Sequence, residues 1–557
     1  MTPYVEGSEG HSSPLLRLDQ LRVTYPGQRG AADVVAVADL SLTVEPGQTV
    51  AVVGESGSGK SSTLYALLGL LPRTADVRYG SLEIGDSDGV LAAVHDPRDL
   101  RGRSVGLVPQ DPVRALDPIV RIGKNFAELH RHFHKIADRE ESRQRAIEVL
   151  EAVGVDRPAL RLRQYPHELS GGIRQRILIA LALVGEPRLL LADEPTSNLD
   201  VTVQRRVLDL FTDLQRQRSL GVLLVTHDIA VAAERADHLV VVRHGRVVET
   251  GPVRSVLDDP RDQYTRKLLN SQPSHLPARP QFQPESPPQI VLEARSLSKS
   301  FGRRRGQEGT AAVQDVSLQL HRGQSVAIVG ESGAGKSTLL RVLTGLDRPD
   351  AGSVLLSGEL QRLDKRPGAA FTRRVQMVYQ NPARSLNPAL PVGRSIGEPL
   401  EAHRIGTSAS RAERTRELLR QVDLPEAISD RRPTQLSGGQ LQRVAIARAL
   451  ALEPDVIALD EPVSALDQAV QYKLLQLLVT LQEELGIAYL LVSHDLGVVR
   501  AVADEVIVMH HGHIEERGPT REVFDRPVSL YTRNLLDAVP SLNRSQPALP
   551  MERTTVS

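Results

Sequence analysis

Short apolar runs recur along the chain and predict the buried strands of a parallel sheet. Thr49–Val53 and Ser325–Val329 each lead into a glycine-rich turn, whereas Leu189–Asp193 and Val456–Asp460 each run into an acidic pair. Strands that are covered on both faces are almost continuously apolar, as these are. The pattern therefore predicts an α/β fold in which strands alternate with helices.

The whole set of motifs occurs twice in the same order. Lys60 and Lys336 end the two glycine-rich turns, and the later motifs around Ser170, Glu194 and His227 recur at one constant offset around Ser437, Glu461 and His494. Such an offset predicts a tandem duplication of one domain. The predicted bounds are a flexible N-terminus at 1–13, domains at 14–270 and 290–540, a proline-rich, semi-extended linker at 271–289 and a flexible tail at 541–557.

Composition excludes several classes of protein. The 68 basic and 68 acidic residues cancel, which argues against a general nucleic-acid binder. The chain has no cysteine, so it has no disulfide, thiolate zinc site or cysteine-ligated iron–sulfur cluster. No run approaches the roughly 20 apolar residues of a spanning helix, and Met1–Ser13 lacks the regions of a signal peptide. We therefore expect a soluble chain that stays inside the cell.

The glycine-rich turns are predicted to bind phosphate. Gly54–Ser61 and Gly330–Ser337 both have the pattern Gly-Glu-Ser-Gly-X-Gly-Lys-Ser between a strand and a helix. Backbone N–H groups freed by the glycines can cradle phosphate oxygens, the lysine can reach the terminal phosphates, and the serine can hold Mg²⁺. The strand context distinguishes these turns from chance glycine-rich turns.

The acidic pairs complete the predicted nucleotide chemistry. Asp193-Glu194 and Asp460-Glu461 follow predicted central strands, and ligands bind at the carboxyl ends of such strands. The first acid of each pair is predicted to hold Mg²⁺ and the second to act as general base toward the attacking water.

A further repeated motif identifies a family resemblance. Leu169–Arg176 and Leu436–Arg443 begin Leu-Ser-Gly-Gly, in which a serine cap and two glycines open a helix whose N-terminus can face a phosphate. In these motifs the chain closely resembles the ATP-binding cassette motor domains of transporters. The resemblance implies, for each repeat, a parallel-sheet core of the P-loop NTPase type, an antiparallel β subdomain and a helical arm, here about 120–164 and 392–434.

The resemblance also assigns site residues, position by position. It implies a Q-loop glutamine at Gln110 and Gln380, a D-loop aspartate at Asp200 and Asp467, and an H-loop histidine contacting the γ-phosphate at His227 and His494. Tyr25 and Phe301 resemble the aromatic residue that stacks on adenine, although both could instead pack in the core. The predicted catalytic residues are Glu194, Glu461, His227 and His494. The predicted Mg²⁺ ligands are Ser61, Gln110, Asp193, Ser337, Gln380 and Asp460. The predicted ATP-binding residues are Tyr25, Gly54, Glu55, Ser56, Gly57, Ser58, Gly59, Lys60, Ser61, Ser62, Gln110, Ser170, Gly171, Gly172, Asp193 and Asp200 in the first repeat, and Phe301, Gly330, Glu331, Ser332, Gly333, Ala334, Gly335, Lys336, Ser337, Thr338, Gln380, Ser437, Gly438, Gly439, Asp460 and Asp467 in the second.

In this family two cassettes close head to tail. The resemblance therefore implies one site that pairs Lys60 with Ser437 and another that pairs Lys336 with Ser170. Neither repeat has lost a lysine, glutamate, serine or histidine of the set, so we predict two competent sites.

Two features point to a branch of the family. The segments 110–118 and 380–388 resemble those of dipeptide, oligopeptide and nickel importers, as do the C-terminal extensions at 264–269 and 531–536. The usual His-Pro before the extension's tyrosine is replaced by Asp262-Gln263 and Ser529-Leu530. The resemblance implies a peripheral ATPase at the cytoplasmic face of the membrane with two permease partners, an extracytoplasmic solute-binding protein, and peptides as solute. Nickel chelates and glutathione stay open as solutes.

Another class stays open as well, that of soluble tandem cassettes that act on ribosomes or DNA. The ribosome-associated relatives have a long charged linker and Asn-His where this chain has Ser197-Asn198 and Ser464-Ala465. The DNA-repair relatives have cysteine zinc modules. Finally, two histidine groups, His130 with His134 and His510 with His511 and His513, are predicted to be solvated side chains rather than metal ligands.

Overall fold

The computed structural model describes residues 13–542 except 28–31, 86–89, 198, 277–281, 283–288, 303–309, 364–366 and 465. The chain forms two compact units. The main part of the first unit ends at Asn270, and the main part of the second unit is Ser271–Val539. The predicted flexible ends at 1–13 and 541–557 lie almost entirely outside the described residues, as do Asn198, Ala465 and most of the proline-rich linker. Within the described ranges, no helix is both long and apolar enough to cross a membrane.

The first unit contains the following strands and helices. Its strands are β1 Leu16–Tyr25, β2 Val34–Val44, β3 Thr49–Val53, β4 Asp76–Arg78, β5 Ser81–Gly85, β6 Leu91–Ala93, β7 Val105–Val108, β8 Leu189–Asp193, β9 Gly221–Thr226, β10 His238–Arg243 and β11 Arg246–Pro252. Its helices are α1 Lys60–Leu67, α2 Pro112–Ala115, α3 Ile122–His134, α4 Arg139–Ala152, α5 Pro158–Arg161, α6 Gly171–Leu183, α7 Val201–Arg218, α8 Ile229–Arg235, α9 Val253–Asp258 and α10 Gln263–Asn270.

The parallel core of the first unit has the strand order β7-β8-β9-β3-β10, with β11 antiparallel at its edge. Every residue of β3, β8 and β9 is buried, which explains why these strands lack polar alternation. Strands β1, β2, β4, β5 and β6 form the antiparallel part. The predicted layers of the core and subdomain are thus confirmed.

The second unit repeats this architecture. Its strands are β12 Ile290–Phe301, β13 Thr310–His321, β14 Ser325–Val329, β15 Ala351–Leu356, β16 Glu359–Gln361, β17 Val375–Val378, β18 Val456–Asp460, β19 Ala488–Val492, β20 Glu505–His510 and β21 His513–Pro519. Its helices are α11 Lys336–Leu343, α12 Ala369–Arg374, α13 Pro382–Ser385, α14 Val392–Ala402, α15 Ser408–Gln421, α16 Gly438–Leu450, α17 Gln468–Leu485, α18 Leu496–Val502, α19 Thr520–Asp525 and α20 Leu530–Asp537. The core order is β17-β18-β19-β14-β20-β21, beside an antiparallel sheet β13-β12-β15-β16.

The helical arms lie where the resemblance implies. In the first unit α3, α4 and α5 fill the arm, and in the second α14 and α15 fill it, followed by short 3₁₀ turns. Each arm has its own apolar contacts with the helix that opens at the Leu-Ser-Gly-Gly motif. Because the arm is inserted between β7 and β8, or between β17 and β18, it leaves the strand order of the core unchanged.

The prediction that the histidine groups are solvated is wrong for His130, and two further histidines are only partly exposed. His130 is only 2% exposed, and its Nδ1 lies 2.9 Å from Ser142 Oγ between α3 and α4. His134 is half-buried and its Nε2 contacts Val184 O at 2.7 Å. His510 stacks on Tyr531 with ring centroids 4.0 Å apart. The helical spacing of the first two placed them on the face that packs, because α3 is covered by α4.

The start of the predicted linker also differs from expectation. Ser271 and Gln272 are buried, a 3₁₀ turn follows at Pro273–His275, and Leu276 packs against the core of the second unit. A Cβ on Gly497 in α18 would lie 3.9 Å from Pro273 Cβ, so this helix approaches the turn closely. These few residues are therefore part of a packed unit rather than a spacer.

Candidate functional site

The glycine-rich loop of the first unit joins the central strand β3 to α1, which begins at Lys60. Two of its glycines have no room for a side chain. A Cβ on Gly54 would lie 2.2 Å from Val242 O, and one on Gly59, whose φ is +101°, would lie 2.3 Å from Ala36 O. The loop is therefore pressed against neighbouring backbone, and its glycines are required for that close approach.

The lysine of the loop is buried and holds the loop together. Lys60 is 6% exposed, and its Nζ donates to Gly54 O at 2.7 Å and to Glu55 O at 2.9 Å. Lys336 makes the same two bonds, to Gly330 O at 2.8 Å and Glu331 O at 2.7 Å. Burial lowers the pKa of Lys336. Both ammonium groups lie inside the curve of the loop, where a phosphate would approach.

The predicted metal ligands meet beside this loop. Ser61 Oγ, on the first turn of α1, donates to Asp193 Oδ1 at the end of β8 over 2.9 Å, and Ser337 makes the equivalent bond to Asp460 over 3.3 Å. Burial raises the pKa of Asp193 against the lowering effect of its bond from Ser61. Hydroxyl and carboxylate oxygens are the hard ligands that Mg²⁺ takes, so the donor set fits that ion.

The predicted general base of each unit is held in an unusual backbone conformation. Glu194 has φ = +44°, and Glu461 has φ = +46°. A non-glycine residue pays a conformational cost in this left-handed region, and such residues cluster at functional sites. Bonds from Glu194 N to Val225 O and from Glu461 N to Val492 O, each 2.9 Å, tie the strained residues to the neighbouring strand.

Both carboxylate oxygens of Glu194 are bonded. His227 Nδ1, just after β9, lies 3.2 Å from Oε1, and Gln110 Nε2, just after β7, donates to Oε2 at 2.7 Å. Burial acts against the charge of both partners, but their mutual bond and attraction outweigh it. As a result the pKa of Glu194 is lowered and the pKa of His227 is raised.

The second unit builds the same arrangement. His494 Nδ1 lies 3.1 Å from Glu461 Oε1, and Gln380 Nε2 donates to Glu461 Oε2 at 2.7 Å. Against the opposing effect of burial, the pKa of Glu461 is again lowered and that of His494 raised by their mutual bond. In both units, loop, acid pair, glutamine and histidine come together because all follow parallel strands that end at one edge of the sheet.

Ser170, Ser437 and Asp467 lie outside this group of bonded side chains, whereas Asp200, which belongs to the second compact unit, accepts at Oδ2 from Ser332 N in the second loop at 3.1 Å. Ser170 and Ser437 are exposed and cap α6 and α16, accepting from Ile173 N at 3.4 Å and Gln440 N at 3.3 Å. Asp467 caps α17 by accepting from Val470 N at 3.0 Å. Asp200 Oδ1 accepts from the hydroxyl of Thr202 at 2.9 Å.

The two aromatic candidates have different surroundings. Tyr25 is half-buried, and its hydroxyl lies 3.1 Å from Ser62 Oγ next to the loop. Phe301 is 46% exposed, with Lys299 Nζ 5.6 Å from its ring centroid. Stacking on adenine stays a prediction for both.

Sequence reasoning missed three tyrosines that touch this region. Tyr65, one turn along α1, has a side-chain hydrogen bond with Asp193. Tyr264 and Tyr531 accept hydrogen bonds from the loop residues Glu55 and Glu331. The repeated Tyr-Thr-Arg segments were visible in the sequence, but their distance along the chain from the loop concealed the contact.

Comparison with known proteins agrees with this geometry. The family model described as ABC transporter matches residues 37–197 and 313–464, which is more than half of the chain. A second model, described as the oligopeptide/dipeptide transporter C-terminal region, matches residues 248–308 and 515–556. These two matched regions contain the helices that carry Tyr264 and Tyr531.

Similar proteins match along nearly their whole length. The oligopeptide transport ATP-binding protein OppD of Mycobacterium bovis is 38% identical, with 95% of this chain and 98% of that protein covered. The peptidoglycan transport ATP-binding protein YejF of Agrobacterium fabrum is 40% identical, over 95% and 97%. The glutathione import ATP-binding protein GsiA of Salmonella choleraesuis is 38% identical, over 96% and 91%. With two phosphate loops, two acid pairs and matches of this extent, the chain belongs to the ABC transporter family as a tandem ATP-binding cassette ATPase.

Proposed function

We propose that each unit binds Mg²⁺-ATP at its loop and that Glu194 and Glu461 act as general bases. The carboxylate accepts a proton as a water oxygen attacks the γ-phosphorus, and the bond from that phosphorus to the bridging oxygen of ADP breaks. Because their pKa values are lowered, both glutamates are ionised at neutral pH and able to accept the proton. Lys60 and Lys336 would contact the terminal phosphates.

Around this reaction, the other polar residues have supporting roles. Ser61 and Asp193 would hold Mg²⁺ together with the amide oxygen of Gln110, and Ser337, Asp460 and Gln380 would do so in the second unit. The cation supplies charge that offsets that of the phosphates. His227 and His494 hold one oxygen of each glutamate, which leaves its orientation fixed before the water arrives.

We further propose that the two units complete each other's sites, with Lys60 paired with Ser437 and Lys336 with Ser170. In support, both serines are exposed at the start of a 13-residue helix and stand outside the bonded group of their own unit. The N-terminus of such a helix favours a phosphate. Gly172 and Gly439 bring each helix close to a valine, since a Cβ there would lie 2.5 Å from Val203 Cγ1 or 2.4 Å from Val470 Cγ1.

The whole protein is proposed to drive an importer from the cytoplasmic face of the membrane. Two permeases would contact the arms and Q-loops, and a solute-binding protein would deliver the solute outside. ATP binding would favour closed units and hydrolysis open ones, so that the differential affinity for the two states moves the permeases.

Peptides are the proposed solute. The observation that carries this is the similarity to OppD over 95% of the chain, together with the matched oligopeptide/dipeptide C-terminal region in both repeats. Glutathione is a second candidate because GsiA is as similar, at 38% identity over 96% of the chain. In this proposal other subunits select the solute, so the residues of this chain do not decide between peptides and glutathione.

The proposal is tested by identifying what the chain works with. The tagged protein is purified from gently solubilised membranes and its partners are identified by mass spectrometry, with the untagged strain as control. We expect two polytopic permeases. Ribosomal or DNA-repair proteins, with the chain absent from membranes, would contradict transport.

A second experiment names the solute. Uptake of labelled tripeptide and of labelled glutathione is measured in cells that lack the gene for this chain. The wild-type chain should restore peptide uptake, and the matched Glu194→Gln/Glu461→Gln chain should not. Restoration of glutathione uptake alone would replace peptides by glutathione.

A further inference from the structure

In both units a tyrosine from the C-terminal extension reaches the phosphate loop. Tyr264, in α10, accepts a hydrogen bond at its hydroxyl from Glu55 N over 2.9 Å, and Tyr531, in α20, accepts one from Glu331 N over 3.0 Å. The partners are 209 and 200 residues apart in sequence. A contact this distant that recurs in both repeats is a feature of the fold rather than a local coincidence.

The bond falls on the same peptide group that the loop lysine holds. In the first unit the carbonyl of the Gly54–Glu55 peptide accepts from Lys60 Nζ, and its N–H donates to Tyr264. The N–H and C=O of a trans peptide point in opposite directions. Tyr264 and Lys60 therefore form hydrogen bonds with opposite sides of this peptide. The orientation of the peptide determines where its carbonyl meets the ammonium group of Lys60.

The second unit has the same pair of hydrogen bonds, with closely matching donor–acceptor distances. Gly330 O accepts from Lys336 Nζ at 2.8 Å, against 2.7 Å in the first unit, and the tyrosine bonds are 3.0 and 2.9 Å. The glycines at this peptide allow no side chain, because a Cβ on Gly330 would lie 2.2 Å from Met509 O. The peptide is therefore fixed by the same kinds of contact in both units.

The extension is built to hold its tyrosine still. Asp262 Oδ1 accepts from Tyr264 N at 2.7 Å, while Glu249 on β11 accepts from the N–H groups of Arg261 at 2.8 Å and Asp262 at 3.1 Å. These charge-assisted bonds fasten the start of α10 to the sheet. The hydroxyl is thus positioned by the core of the unit.

The second extension uses different residues for the same frame. Ser529 Oγ accepts from Tyr531 N at 3.1 Å, and Glu516 accepts from Val528 N at 2.8 Å and Ser529 N at 3.0 Å. Asp262 and Ser529 stand in the segments where the sequence departs from the expected His-Pro. Both are good helix caps, so the departure preserves the start of the helix.

The tyrosine rings are packed as well. Arg243 lies over the ring of Tyr264 with its Cζ 5.0 Å from the centroid, and His510, the equivalent residue at the end of β20, stacks on Tyr531. Burial raises the pKa of Tyr531 to about 12, so its hydroxyl is neutral at ordinary pH. A neutral hydroxyl on a packed ring is a stable acceptor for one backbone N–H.

We propose that Tyr264 and Tyr531 are positioning residues for nucleotide binding, acting through the Gly-Glu peptide on the loop lysine. The extension thereby sets the affinity of the loop for the terminal phosphates of the nucleotide. This inference rests on the proposed ATP site, and it adds a role for the extension inside each unit.

The test is the variant Tyr264→Phe/Tyr531→Phe in the full chain, which keeps both rings and removes both hydroxyls. Loss of one neutral hydrogen bond at this peptide should weaken ATP binding and raise KM for ATP about fivefold, with little change in kcat. The affinity for AMP, which lacks the terminal phosphates, should change less than about twofold. Binding is followed with fluorescent analogues of both nucleotides.

The matched control is Tyr79→Phe. The hydroxyl of Tyr79 also bonds backbone, donating to Ala66 O at 2.7 Å at the far end of α1, and burial also raises its pKa to about 12. This variant should lose thermal stability similarly but keep its affinity for ATP.

The outcomes distinguish a positioning role of the tyrosine hydroxyls from a purely structural one. A rise in KM confined to the extension variant, with AMP affinity retained, supports positioning. Unchanged ATP affinity, or an equal loss of ATP and AMP affinity in both variants, overturns it and leaves a purely structural bond. If instead the wild-type chain binds no ATP, and Lys60→Ala/Lys336→Ala alters nothing, the proposed ATP site itself fails.

Discussion

The two units agree closely at the predicted catalytic centre and differ in their arms. The glutamine–glutamate bond is 2.7 Å in both, and the histidine–glutamate contact is 3.2 Å in one and 3.1 Å in the other. In contrast, α3 has 13 residues and a buried histidine, whereas α14 has 11 residues and Pro399 in its interior. The side chains that would act on ATP match in the two units, whereas the arms proposed to contact permeases differ in length and in packing.

The arms show how the difference is accommodated. At equivalent positions, counted from the buried residue that begins each arm, the first arm has His130 and the second has Leu400. His130 is satisfied by Ser142 across the helix pair, while Leu400 needs no polar partner. The two arms therefore differ in packing, whereas equal centres predict equal use of ATP.

The strongest test of equal centres replaces the general bases. Glu194→Gln/Glu461→Gln should lower ATPase activity by about 100-fold or more, because each amide keeps the shape of the side chain but cannot accept the proton. Each single substitution should leave partial activity at most, and the two should match within about twofold. Steady-state phosphate release measures all three.

Glu359→Gln on β16, an exposed glutamate away from both centres, is the control and should retain wild-type activity. Unimpaired turnover in the double variant would remove the general-base role. One silent and one inactivating single substitution would show that the centres differ in spite of their geometry.

The next largest effect is expected in the arms. Leu400→His places a polar ring at a buried position, where Leu400 is only 5% exposed among the apolar side chains of the second unit's core. The variant should destabilise the second unit by roughly 2 kcal/mol, the usual cost of a buried group without a suitable partner. Chemical denaturation followed by circular dichroism measures it, and an unchanged midpoint would show that the arms tolerate either residue.

The glutamate–histidine pairs predict a pH dependence shared by both units. The pKa of each histidine is raised in the folded chain. The stabilisation that each histidine contributes is therefore complete below its pKa in the unfolded chain, near 6.5, and is lost as the pH rises through its pKa in the folded chain. The lowered glutamate pKa makes its contribution present above about 4.5 and lost as pH falls through the folded pKa.

His227→Gln and His494→Gln should therefore each cost most thermal stability near pH 6 and progressively less toward pH 9. Melting curves of the two single variants across this range should superimpose. A pH-independent loss would contradict the pairing, and divergent curves would break the equivalence of the centres.

The smallest effect is expected for His130→Leu, which copies the second arm. Burial, followed by repulsion from His134 and Arg145, lowers the pKa of His130 despite the opposing effects of its bond with Ser142 and of the attraction of Glu141. Since the folded pKa lies below the unfolded one, the wild-type arm loses stability as pH falls through 6.5.

The free energy of unfolding of the variant should lie within about 1 kcal/mol of the wild-type value at pH 7.5. Its stability relative to wild type should be higher at pH 5 than at pH 7.5. Adding Ser142→Ala, which removes the hydroxyl left without its ring partner, should recover part of any loss. Melting temperatures at both pH values test this, and a wild-type advantage that grows at acid pH would contradict it.

Much of the core was predictable because its signals are local. The apolar strands at 49–53 and 456–460 form where the pattern places them, and parallel strands must bring their following residues to one sheet edge. For this reason one site could be assigned from residues that are scattered along the first unit: Lys60, Gln110, Asp193 and His227. In the structure these residues lie close to Glu194 or to the phosphate loop.

What the sequence did not predict depends on packing between distant segments. His130 has the composition of a surface helix around it, and only the approach of α4 buries it. The strained backbone of Glu194 depends on the neighbouring strand, and the hydroxyl of Tyr264 meets Glu55 only after α10 has packed on the sheet. The assignments of roles at Tyr25, Phe301, Ser170 and Ser437 remain predictions.

Counting bound nucleotide tests most directly whether one chain has two equivalent ATP sites. Equilibrium dialysis of Mg²⁺-ATP against the Glu194→Gln/Glu461→Gln chain should give two nucleotides per chain. Adding either Lys60→Ala or Lys336→Ala should leave one, to the same extent in both cases. A single bound nucleotide that depends on one lysine and ignores the other would contradict the account.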